Sequence, residues 1–182
     1  GAVAALTTSQ VAGLTGDQIG ALTTTQLAKL VSSQIGAIGT SQISSLTTVQ
    51  AAALTAAQAA GLTTSQIAAM ETADTAKLST AVIAGLTTIQ VGGLTADQVA
   101  NLSTTQVLAL SSAQLGKLGT AQIEALTTAQ AAVLTAAQTA GLTTTQISRL
   151  EAADLGQLST SVIAGLTTIQ IGGLTNQQVA DL

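Results

Sequence analysis

The chain has 182 residues, 47% of them hydrophobic and 7% charged, with a net charge of −4. It carries no His, Cys, Phe, Trp, Tyr or Pro, which removes the usual zinc, haem and thiol chemistry, nucleophile–His triads and disulfides. Four basic residues without an aromatic partner argue against nucleic-acid binding, so the chain is expected to be no enzyme, with no cofactor and no metal.

Read from the N-terminus, the sequence repeats in octads. Leu6, Leu14, Leu22, Leu30, Ile38, Leu46, Leu54 and Leu62 open the column, and it continues without insertion to Leu182. Twenty-two octads fill residues 6–181, with the consensus Leu-Thr-Thr-x-Gln-(Ile/Val)-x-(Ala/Gly). A longer period of ten octads is superimposed: AGLTTIQVGG at 84–93 returns as AGLTTIQIGG at 164–173. The expectation is a single repeat array over 1–182, without an internal boundary, cut from a longer array.

Two folds fail on this spacing. A continuous helix would drift about 80° per octad, so no apolar stripe would persist, and its glycines would each cost roughly 1 kcal/mol. In a continuous strand the first and sixth positions would face opposite sides. A β-solenoid could bend at corners, but Ala, Gln and Leu are not its preferred residues. Each octad instead carries a capping box, with Thr at the second position and Gln at the fifth. Leu at the first position and Ile or Val at the sixth complete it as a hydrophobic staple.

Two further columns agree. Glycines gather at the seventh and eighth positions, as at Gly13, Gly61, Gly93, Gly141 and Gly173, where a helix would stop and the chain turn. Lys29, Lys77, Lys117 and Arg149 stand at the eighth position, whereas Asp17, Glu71, Asp74, Asp97, Glu151 and Asp154 lie between the second and fifth. That polarity matches the helix dipole, with Glu124 and Asp181 as exceptions. Ordering one octad costs roughly 8–16 kcal/mol of backbone entropy, while burying its Leu and Ile returns only about 1.5–3 kcal/mol each. Isolated octads therefore cannot stand. The expected fold is all-α: a narrow solenoid of short capped helices, one per octad, whose neighbours share a Leu/Ile core.

Three departures mark the array. Ala51, Ala59, Ala131 and Thr139 replace Ile or Val at the sixth position, where the core should thin. Asp74 and Asp154 replace Gln in the acidic octads opened by Met70-Glu71 and Leu150-Glu151, and Val82 and Val162 replace it in the next octads. Two carboxylates on one turn could join a calcium or salt-bridge site, but calcium takes six to eight oxygens; the plainer reading is a solubilising helix start. The paired threonines, such as Thr63-Thr64 and Thr87-Thr88, would form a ladder for ice or a crystalline polymer if the second of each pair faces outward. They would otherwise be a cap and a neutral surface residue. No apolar run is long enough for a transmembrane helix, and neither a signal peptide nor a phosphate-binding glycine loop is visible.

The octads LTTSQVAG (6–13), LTTTQLAK (22–29), LTTAQAAV (126–133) and LTTIQIGG (166–173) resemble the LTTxQ(I/V)xxL tracts of very large secreted and surface-attached bacterial proteins. The resemblance covers essentially the whole chain. It implies an extracellular, non-enzymatic stalk, spacer or self-associating filament segment of an adhesin or matrix, with a cell-surface or matrix partner unspecified. Periplasmic chaperones of the extracytoplasmic stress response share the letters LTxxQ, but have long charged helices and no octad array.

Overall fold

The computed structural model describes residues 2–182. After a short 3₁₀ turn at Ala2–Ala5 come twenty-two α-helices, from α1 (Thr8–Ala12) to α22 (Asn176–Ala180), one for each octad, and no strand among the described residues. Each spans a single short stretch, as in Thr24–Leu27, Thr8–Ala12 and Thr48–Ala53. The helices start where the capping box places them. Thr23, for example, has extended backbone (φ −68°, ψ 157°) and accepts at its hydroxyl from the Gln26 N–H, while Gln26 Oε1 accepts from the Thr23 N–H. Thus the N-cap satisfies donors that a helix start leaves orphaned.

Seventeen octads have a Ser or Thr at the cap position. Val31, Gly39 and Gly119 cannot supply a side-chain oxygen, and keep only the Gln half of the box. The helices end without a left-handed residue: no described residue has positive φ. Gly13, Gly93 and Gly173 do stand at C-caps, but in right-handed conformation (φ −83° and −87° for the last two). The next Leu N–H closes the helix by an i to i−3 bond, as from Leu14 to the Val11 carbonyl at 3.1 Å. That Leu and the extended N-cap after it form the corner.

The chain forms two compact units, Gly1–Leu94 and Thr95–Leu182. Within each, a helix packs on the one three octads later: α1 on α4 (Ser32–Gly36), α6 (Thr48–Ala53) on α9 (Thr72–Thr75), and in the second unit α16 (Thr128–Ala132) on α19 (Ala152–Leu155). One solenoid turn is therefore three octads. The core is a stack of buried columns. Leu54, Leu62, Leu126 and Leu134 fill the first-position column, and Ile43, Ile83, Ile123 and Ile147 the sixth. Ala51, Ala59, Ala131 and Thr139 are just as buried, so the thinner stretches remain closed.

Candidate functional site

The fifth-position column is the chemically distinctive part of the fold. Gln50, Gln58, Gln66 and Gln90 in the first unit, and Gln130, Gln138 and Gln146 in the second, are all buried. Their Oε1 atoms face their own N-caps, as the sequence indicates. Their Nε2 atoms do something it does not indicate: they donate to main-chain carbonyls one turn earlier. Gln50 Nε2 reaches the Ile19 and Leu22 carbonyls at 2.8 and 2.7 Å. Gln130 reaches Val99 and Leu102 at 2.8 and 2.7 Å, and Gln178 reaches Ile147 and Leu150 at the same distances. The acceptors are the same pair each time: the sixth-position residue of one helix and the Leu that follows it.

One amide thus caps its own helix and closes carbonyls at the helix junction beneath. Burying a polar side chain costs free energy unless its donors and acceptors are paired, and these glutamines meet that condition. The only sequence signal for the second role is that Gln holds a position where Glu would cap equally well. A carboxylate could accept from the N-cap but could not donate to a carbonyl.

At the four octads without Gln, the column changes chemistry. Ser79 and Ser159 still cap their helices, accepting from the Val82 and Val162 N–H, and both valines are buried. Hydrocarbon there replaces the amide. At the acidic octads, neither Glu71 nor Glu151 makes a side-chain cap bond. Asp74 and Asp154 are 2% and 1% exposed, and the Oδ2 atom of each has no hydrogen-bond partner. Burial first, and then the charge of Glu151, push the Asp154 carboxyl up to about 6. Burial and Glu71 raise Asp74 in the same way. The structure groups no three acidic side chains into a metal-binding cluster among the described residues.

The glycines are placed by contact between turns. A Cβ on Gly61 would run into the Ser32 carbonyl, and one on Gly141 into that of Ser112. Both pairs join an eighth position to a third position one turn earlier. A Cβ on Gly36 would in turn meet the Gly61 carbonyl. Glu124 and Arg149 stand in the same register as Gly36 and Gly61. The Arg149 guanidinium donates to Glu124 at 3.1 Å from α18 (Thr144–Arg149) to α15 (Thr120–Glu124). The acid that breaks the dipole pattern is therefore matched by a base from the next turn.

The threonines divide. N-cap Thr63, Thr87 and Thr143 are exposed, whereas the second threonines Thr64, Thr88 and Thr144 are half-buried. Gly93 and Gly173 of the following turn lie against Thr64 and Thr144. An outward row of second threonines is thus interrupted. A hollow lined by Leu155, Leu158, Ile163 and Leu182 has no titratable side chain in its wall. No helix among the described residues is long and apolar enough to cross a membrane.

Comparison with known proteins gives one match. A family model described as the ALTTAQ repeat aligns with residues 1–24, 19–48, 67–104, 104–136 and 147–182. No curated protein and no solved structure matches the chain.

Proposed function

The chain belongs to the ALTTAQ repeat family, and from that premise we propose that it is a structural strut: an extracellular stalk or spacer segment that holds other parts of a surface or matrix protein apart. The carrying observation is the glutamine column. Each turn is tied to the previous one by buried side-chain to main-chain hydrogen bonds, such as Gln58 to Leu27 and Leu30 and Gln138 to Leu110. A fold fastened turn by turn suits a part whose task is to keep a distance. Its chemistry is that of a scaffold, and in this reading it catalyses nothing. With 7% charged residues, little repulsion opposes side-by-side packing of the Thr, Ala and Ser surfaces, so self-association into filaments or sheets belongs to the same proposal. Placement outside a bacterial cell rests on the resemblance of the octads to surface-protein tracts.

The test is a ruler experiment. Fluorophores are attached near the two ends of variants lengthened by one, two or three whole turns, each a copy of the three octads at 102–125. A constant increment in separation per added turn supports the strut. A separation that does not grow with added turns overturns it. Electron microscopy across concentrations adds the second reading: lateral sheets or long fibres support self-association, and isolated particles at all concentrations reject it.

A further inference from the structure

Asp154 and Asp74 occupy the column in which Gln fastens one turn to the next. The register sets the place of the missing donor. Each Gln reaches the Leu that opens the third octad before its own helix start, and the sixth-position residue just ahead of that Leu. The equivalent carbonyls for Asp154 are those of Leu126 and Ile123, and for Asp74 those of Leu46 and Ile43. Each Asp is at least nine-tenths buried, with an Oδ2 that has no hydrogen-bond partner. An ionised carboxylate offers only acceptors to a carbonyl, so the two repel, whereas a neutral carboxyl has one O–H to donate.

Among the described residues no ion pair settles the charge of either carboxylate. In the second unit α16 and α22 pack on α19, and their sequences, TAQAA and NQQVA, contain no titratable group. Glu151 is the N-cap of α19 and Asp181 follows α22, both acidic. Arg149 is engaged with Glu124. In the first unit α6 packs on α9 and reads TVQAAA, again without a charge. Glu71 holds the N-cap position of α9 without a side-chain cap bond, and Lys77, which follows the C-cap Ala76, is in no ion pair with Asp74.

We propose that each acidic octad is a proton-operated latch: with its carboxyl protonated, Asp154 donates to the Leu126 carbonyl, and Asp74 to the Leu46 carbonyl, fastening the turn as Gln does elsewhere. Ionisation unfastens it. The folded chain then holds a proton that the unfolded chain has already lost, since an ordinary Asp carboxyl ionises near about 3.9. The added stability is fully present below that pH and disappears as pH rises through about 6 for Asp154. The direction opposes the usual acid denaturation of proteins with paired carboxylates. The latch belongs to the fold and does not depend on what the strut carries.

The test compares melting of the whole chain between pH 4.5 and 7.5 with that of Asp74→Asn/Asp154→Asn and Asp74→Gln/Asp154→Gln double variants. The wild-type Tm should rise by several degrees on acidification through pH 6. Both variants should lose that rise, and the Gln variant should melt above the wild type at pH 7.5. Carboxyl ¹³C resonances should show Asp154 titrating well above the ordinary Asp range. Parallel pH profiles for wild type and variants, or Asp154 titrating near 4, would overturn the latch. So would calcium raising the wild-type Tm at pH 7.5 while leaving the variants unmoved, since a metal would then hold the site.

Discussion

At the scale of the residue, the fifth-position Gln has two ends with different visibility. The Oε1 end is legible, because Thr-x-x-Gln is a helix-start signature that needs only local geometry. The Nε2 end is not, because its acceptors belong to the turn before and no local spacing announces them. The two ends separate by substitution. Gln130→Met keeps the volume and loses the bonds to Thr127, Val99 and Leu102. It should cost about 1–3 kcal/mol in urea unfolding, the penalty for unpaired buried groups. The glycines divide in the same manner. Their gathering at the octad's end was legible, but at Gly61 and Gly141 the reason is the backbone of a neighbouring turn rather than a left-handed bend. Gly61→Ala meets the Ser32 carbonyl and should destabilise by more than about 1 kcal/mol, the usual cost of overpacking. Gly172, with nothing within 4 Å of an added Cβ, should gain about 0.4–1 kcal/mol as Ala. Equal effects at the two glycines would contradict the close packing of turns.

At the scale of the element, the short helices follow almost entirely from the sequence. Caps, staple and charge polarity all lie within one octad, so local physics specifies them. Thr127→Ala should cost about 1 kcal/mol, the usual worth of an N-cap, measured by the shift of the urea midpoint. What connects helices is less legible. Glu124 looks misplaced until the stacking of turns brings Arg149 to it. Both side chains are about half exposed, so Arg149→Ala should lose no more than about 1 kcal/mol, and the loss should shrink in high salt. A loss unaffected by salt would indicate that the arginine acts through packing instead.

At the scale of the whole molecule, the demand for stacking came from energetics, while the count of three octads per turn came only from the fold. Nothing in an octad records which later octad it will touch; that depends on the corner angle set by the extended Leu and Thr. The shared core makes a clear prediction. Leu118→Asp or Leu102→Asp buries a charge among apolar neighbours and should abolish cooperative unfolding, with a loss above about 3 kcal/mol. Thr104→Asp, just past the N-cap Ser103, should be close to neutral; equal melting shifts would count against the stack. The three-octad turn also bears on heredity. Because most octads offer the same groups, replication slippage by one octad's worth of codons hands each helix a near-equivalent neighbour, and the protein can lengthen or shorten without redesign. The bespoke pairs cannot. Any gain or loss of an octad between Glu124 and Arg149, or between Ser32 and Gly61, parts them, so those stretches should resist the expansions and contractions that the rest of the gene can absorb.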